Sequence, residues 1–357
     1  MTDSSFGKQA GALAAKAGSS LNRACCEVPP LVSVIIPTYN RAQYIEESIR
    51  SVLAQTYTNL EVVVVDDGST DDTEIIVSSI VDPRLRYIRQ PNCGRSNARN
   101  HALSIASGKY ITFLDSDDLY LPNKIELQVN YLESHPGVGM IYTSAHCIND
   151  KGQMLAHKYE ATKSGLIYES IAFFTPVTIT LPTVMTYRKV MDHVGNFDEN
   201  LHRFEDTDMW RRISKFYRID AMQEYTCKLR THDDNSLLNQ CPDQIASALE
   251  YYSKKIIRDD LEISLKIRKK GLAALYRYYG HALMKVPQFY PAGKKLMRAA
   301  FGYDSVQNIL RYWIGWFARI VYYRTLNLLY PIYSRAKKII KKSGSVRLND
   351  GVNRWKP

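Results

Sequence analysis

Two acidic residues two positions apart, Asp115 and Asp117, follow directly on the apolar run Tyr110–Leu114. Carboxylates at that spacing, where a chain leaves a strand, can converge on a hard divalent cation. Mg²⁺ or Mn²⁺ held this way completes its shell with phosphate oxygens and neutralises charge on a departing diphosphate. The same residues also suit a solvated acidic loop, with Asp118 capping the helix that follows. A second cluster, Asp66-Asp67-Gly68-Ser69, ends the run Leu60–Val65. It is good turn chemistry, and its place at a strand end also suits contact with a nucleotide base or ribose. Thr38-Tyr39-Asn40 would bring a hydroxyl, an aromatic face and an amide to the same base. Glu205-Asp206 precedes an amphipathic segment. Acidic residues there favour a helix start through its dipole, or supply a carboxylate base for an acceptor hydroxyl. Arg230 and His232 follow the run Glu224–Leu229. They could clamp a diphosphate and complete a metal shell, although a lone loop histidine is more often simply solvated.

Positioning these residues requires strands that end at one edge. Leu31–Pro37, Leu60–Val65, Leu85–Arg89 and Tyr110–Leu114 read as short buried strands. Ala42–Gln55, about Asp72–Val81 and Ser96–Ala106 read as the helices between them, the last closed by Gly108. This alternation predicts an α/β domain with an open, mostly parallel sheet flanked by helices. Ligands bind such sheets beyond the carboxyl ends of the strands, so the three polar clusters that follow strands make one site. Further on, a helix at Lys124–Ser134 and a strand at Val138–Thr143 lead into a less regular stretch up to Pro182. A short strand at Thr183–Arg188, a helix at Met209–Tyr217 and a strand at Glu224–Leu229 complete the domain.

The 357 residues carry a formal charge of +11, distributed unevenly. From Cys241 onward, 23 Lys and Arg face 7 Asp and Glu, whereas the preceding residues hold 24 against 29. The chain therefore divides into a leader (1–30), a slightly acidic catalytic domain (31–240) and a basic helical extension (241–357) broken near Pro287–Pro291. The Ala-, Gly- and Ser-rich leader is expected to be flexible and lacks the apolar run of a signal peptide. The six cysteines show no metal-binding spacing and are expected to be free thiols. No stretch of about 18 apolar residues suggests a transmembrane helix.

Together, Val32–Thr73, Gly94–Asp118 and Val194–Ile213 resemble the inverting family-2 glycosyltransferases, over roughly Val32–Ser236. The resemblance implies an A-type glycosyltransferase fold and a nucleoside-diphosphate sugar donor, most often UDP-linked. It implies that Pro37, Thr38, Tyr39 and Asp67 hold the nucleoside and that Asp115 and Asp117 form the DxD metal motif. Asp206 would be the catalytic base, Glu205 its orienting neighbour, Arg99 and Arg230 the diphosphate side, and His232 a position near the metal or diphosphate.

The extension lies outside that resemblance. Asn308–Tyr333 interleaves Arg311, Arg319 and Arg324 with aromatic residues, and Lys337, Lys338, Lys341 and Lys342 follow. Residues 308–342 would suit a helix on an anionic membrane surface, or a helix packed on the protein. No nucleic-acid-binding module is evident. The expected activity is sugar transfer to a glycan or lipid-linked acceptor at the cytoplasmic face of a membrane. A polyprenyl-phosphate acceptor and a non-catalytic sugar-nucleotide-binding scaffold are the alternatives.

Overall fold

The computed structural model describes residues 28–173, 179–231 and 241–304. The chain divides into two compact units, with the division between residues 240 and 241. The first unit opens with strands β1 (Val32–Thr38), β2 (Leu60–Asp66), β3 (Leu85–Arg89) and β4 (Tyr110–Phe113). Helices α1 (Ile45–Leu53), α2 (Thr73–Ser78) and α3 (Arg95–Ile105) connect them. β1 pairs in parallel with both β2 and β4, and β2 with β3. Every residue of β1, β2 and β4 is buried. That explains why these strands are continuous apolar runs and not alternating ones.

Next come β5 (Leu119–Tyr120), α4 (Lys124–Ser134), β6 (Val138–Ile148), β7 (Met154–Tyr159), α5 (Tyr168–Ala172), β8 (Val184–Tyr187), α6 (Arg188–Val194), α7 (Glu205–Phe216) and β9 (Arg218–Arg230). The sheet order is β3-β2-β1-β4-β8-β6-β9-β5, with β7 paired to β6. β8 runs antiparallel to both β4 and β6, and β9 runs parallel to β6. Of the nine strands among the described residues, six therefore point one way, and β5, β7 and β8 point back. The ends of β1, β2, β4 and β9 consequently share one edge. The sheet also curls. The Tyr120 hydroxyl in β5 donates to the Phe113 carbonyl (2.5 Å) in β4, four strands away along the order.

Several elements differ from their sequence-based bounds. The stretch expected to be irregular contains β7, an exposed edge strand whose solvent-facing residues need no hydrophobic alternation. β6 and β9 are longer than expected because they pair along most of their length. α7 begins at Glu205, four residues before Met209, so the acidic pair lies inside its first turn.

The second unit contains α8 (Pro242–Asp259), α9 (Leu265–Met284) and α10 (Tyr290–Ala300), interrupted at Pro287 as the sequence suggests. Leu249, Tyr252, Leu272, Leu275 and Leu283 form its buried side. Among the described residues, no helix is long and apolar enough to cross a membrane. The segment 308–342 lies outside the described residues.

Gly108 is a tight point in the frame. It links α3 to β4, and a Cβ there would sit 2.6 Å from the Ser33 amide nitrogen and 2.9 Å from the Leu31 carbonyl oxygen. The Ser33 hydroxyl accepts from the Gly108 amide (2.8 Å) and donates to Glu61 (2.6 Å). The atoms in the way are largely backbone and cannot step aside. Gly108→Ala is expected to cost about 1–3 kcal/mol, read as a lower urea midpoint at unchanged slope.

Candidate active site

The shared strand edge opens into a cleft of about 520 Å³. β1 and β2 bring Pro37, Thr38, Tyr39 and Asp67 to it, and α3 brings Arg95 and Arg99. The turn after β4 adds Asp115, Asp117 and Asp118, α7 adds Glu205 and Asp206, and β9 adds Leu229 and Arg230. The described residues nominated from sequence thus line one cleft, except Asn40, which is not on its lining. His232 lies outside the described residues.

At the β1–β2 end, the polar side chains mostly bind one another. Asn40 adopts a left-handed backbone (φ 50°) that asparagine tolerates. Its amide donates to Ser69 Oγ (2.9 Å), and its Oδ1 accepts from the Thr70 amide (2.8 Å), lacing the two strand ends together. The Asp67 carboxylate accepts from Gln90 Nε2 (2.8 Å), the Cys93 amide (2.9 Å) and the Gly94 amide (2.7 Å). Asp67 therefore shapes the loop entering α3. Thr38 is buried, yet its hydroxyl has no hydrogen-bond partner among the described residues. Tyr39 stands 45% exposed above it.

Each carboxylate in the turn after β4 meets a different arginine. Asp115 Oδ1 accepts from Arg99 Nη2 at 3.0 Å. Asp117 Oδ2 lies 3.5 Å from Arg41 Nε. The buried Asp118 accepts from the backbone amide of Arg230 at 2.7 Å. Burial, and then the charges of Asp117 and Asp115, push the Asp118 carboxyl well above its ordinary range. Negative charge is crowded here in a way that a divalent cation would relieve. Among the described residues, no group of three or more His, Cys, Asp or Glu could cage a metal ion. Two hard oxygen donors, with no third protein ligand among the described residues, fit Mg²⁺ or Mn²⁺ sharing its shell with phosphate oxygens.

Glu205 is buried and paired with two arginines through one oxygen. Its Oε1 accepts from Arg95 Nε (2.8 Å) and Arg99 Nη1 (3.1 Å). Its neighbour Asp206 is only partly buried and has no arginine partner among the described residues; its Oδ1 accepts from the Thr207 amide (2.6 Å). Desolvation and the adjacent Glu205 charge push Asp206 up to about 6, against the opposing pull of Arg99 and Arg95. A carboxylate with that affinity for protons can accept one near neutral pH. Phe204, just before this helix, has φ 66°, a conformation costly for an aromatic residue. It turns the chain abruptly, so both acids enter the cleft on the helix's first turn.

Arg230 lines the cleft, but its guanidinium is directed into the protein. It donates to the carbonyls of Asp117 (3.0 Å), Asn149 (3.2 Å) and Asp150 (3.0 Å) and to Glu47 (2.8 Å), beneath the Tyr44 ring. Its visible work is to hold the acidic turn against α1 and the end of β6. The sequence reading passed over Arg41, Arg95 and Thr180. Arg41 adjoins Asn40, and Arg95 opens the helix that carries Arg99, so proximity to nominated residues was the available signal. Thr180 carries a second buried hydroxyl without a partner among the described residues and had no signal.

Residues 33–195 match the model of glycosyl transferase family 2. An uncharacterized glycosyltransferase of Rickettsia prowazekii is 33% identical over 277 residues, covering 70% of this chain and 83% of that protein. The chain spans only about a third of the length of several other Rickettsia relatives. In fold it is similar to S. aureus TarS 1–349, crystallised with UDP-GlcNAc (TM-score 0.60, 20% identity, 76% of this chain and 81% of that one). It is also similar to the mannosyltransferase PcManGT of Pyrobaculum calidifontis, in complex with GDP-Man and Mn²⁺ (TM-score 0.53, 24% identity, 88% and 89%). The sheet with its flanking helices is thus an A-type glycosyltransferase fold, and the chain belongs to glycosyltransferase family 2.

Proposed function

We propose that this protein is a metal-dependent, inverting glycosyltransferase that moves a sugar from a UDP-sugar to a hydroxyl of a glycan or lipid-linked acceptor. The observation that carries this reading is the pairing of two unlike acidic sites in one cleft. Asp115 and Asp117 occupy one strand end, and Asp206 faces the same space with its affinity for protons raised. Unsatisfied hydroxyls at Thr38 and Thr180 add buried polar atoms that a bound donor or acceptor would pair. The fold relatives crystallised with UDP-GlcNAc and with GDP-Man and Mn²⁺ support the same assignment.

In the proposed mechanism, Pro37, Thr38 and Tyr39 seat the nucleoside, and Asp67 fixes the loop beside it. The ion held by Asp115 and Asp117 would supply positive charge to the leaving diphosphate. Asp206 takes the proton of the acceptor hydroxyl as that oxygen attacks the anomeric carbon, opposite the diphosphate, so configuration inverts. Glu205, held by Arg95 and Arg99, orients Asp206 and keeps it basic. Arg99 also steadies Asp115 from below.

With Mn²⁺, purified protein should release nucleoside diphosphate from one member of a UDP-, GDP- and dTDP-sugar panel once an acceptor is supplied. EDTA should abolish that release. A protein that neither turns over nor binds any of these donors with metal overturns the proposal. Asp206→Asn should lower kcat about 10²–10⁴-fold while donor binding stays near that of the parent; unchanged kcat excludes Asp206 as base. Because the base acts unprotonated, kcat/KM should climb as pH rises through about 6 and level off above it. Arg95→Met removes a charge that lowers the Asp206 pKa, and should move that limb to higher pH. A limb unmoved by this substitution would separate Asp206 from the observed titration.

A further inference from the structure

We propose that Arg41 is an exchange cation of the donor site: it pairs with Asp117 while the site is free and passes to the diphosphate when metal and donor enter together. This rests on the donor-site reading above and assigns a residue and an order of events within it. Arg41 lies on the cleft wall between Tyr39 and the turn after β4. Its Nε is 3.5 Å from Asp117 Oδ2, too long for a good hydrogen bond. Nη1 donates to the Asn40 carbonyl (3.2 Å), and Nη2 has no partner among the described residues. The side chain is 30% exposed, against 4% for Arg99, whose two terminal nitrogens are committed to Glu205 and Asp115, and 2% for Arg230, whose donors are committed to the protein. Of these three arginines, Arg41 alone combines loose pairing, access and donors to spare.

The charges explain why exchange is needed. An ion bound to Asp117 competes with a guanidinium held at the same carboxylate. A divalent ion balances the two charges of a sugar-linked diphosphate, but not those of the carboxylates already on this wall, Asp115 and Asp117, nor the further charge that develops as the sugar leaves. A guanidinium released from Asp117 can make a forked contact with phosphate oxygens, the geometry for which arginine is best suited. Its backbone stays fixed through the exchange, because the Arg41 amide donates to Thr73 Oγ1 at 3.1 Å. Only the side chain has to swing.

Exchange predicts effects of opposite sign. In the full chain carrying Arg41→Gln, Mn²⁺ alone should bind several-fold tighter than in the parent, because a competitor for Asp117 is gone. UDP in saturating Mn²⁺ should bind about tenfold more weakly, because a charge-assisted contact is lost. Arg41→Lys should restore part of the UDP affinity. Mn²⁺ titration by electron paramagnetic resonance and UDP titration by calorimetry read the two affinities without turnover. If both affinities fall together, Arg41 is a structural wall residue and exchange is overturned. If neither changes, the pair with Asp117 is an idle surface contact and exchange is equally overturned. A parent protein that binds neither Mn²⁺ nor UDP overturns the donor-site reading itself, which separates that failure from the failure of exchange.

Discussion

One buried guanidinium joins the two halves of the site. Arg99 is almost wholly buried and holds Asp115 with one nitrogen and Glu205 with another. Asp115 belongs to the turn after β4, and Glu205 opens α7, 90 residues later in the chain. Below the arginine lies the face of Phe197, 5.6 Å away. A charge so enclosed is tolerable only while both carboxylates remain in place, since removing one partner of a buried pair leaves an uncompensated ion. The acidic turn after β4 and the start of α7 are therefore fixed to one another through α3. Neither can shift without exposing that cost.

Much of the surrounding structure serves to keep α7 where Arg99 needs it. Asn100, on the same helix as Arg99, exchanges hydrogen bonds with the Phe197 backbone: its Nδ2 donates to the carbonyl and its Oδ1 accepts from the amide, both at 2.9 Å. Asn97 and Asn100 both donate to Glu199. At the other side, the buried Asp208 holds Arg211 and Arg212, and Arg212 reaches back to the carbonyls of Val194, Gly195 and Asn196. These contacts offset the strained backbone of Phe204, whose left-handed turn costs on the order of 1–3 kcal/mol. The strain sits at the one residue that aims both acids into the cleft. A relaxed helix start there would not bring them in together.

The parts legible in the sequence were those governed by local physics. Buried parallel strands need continuous apolar runs, so β1, β2 and β4 were visible, and the polar residues just past them marked the cleft edge. β7 was not legible, because an exposed edge strand such as Met154–Tyr159 carries no pattern that distinguishes it from a loop. The destination of a long side chain was equally hidden. Arg99 and Arg230 are the same residue type, each near an acidic motif, yet Arg99 bridges two site carboxylates while Arg230 is spent on backbone carbonyls and Glu47. That distinction depends on how far the sheet curls, a tertiary property that no window of sequence reports. The buried Lys124, whose ammonium donates to Thr112 and Gln128 behind β4, was read only as the start of a helix for the same reason.

The arginines also explain why two adjacent acids differ. Glu205 receives two guanidinium groups, and Asp206 receives none directly. Desolvation and the Glu205 charge then outweigh, at Asp206, the more distant pull of the same two arginines. Adjacent carboxylates in such unlike settings take different roles, one fixed by two guanidinium groups, the other able to gain and lose a proton near neutrality. Reversing the order of the two residues would not reverse the roles alone. It would place the shorter aspartate side chain opposite Arg99, where Glu205 now meets the guanidinium at 3.1 Å. The order Glu-Asp at this helix start puts the longer acid on the bridge, and the raised proton affinity of Asp206 follows from desolvation beside that acid.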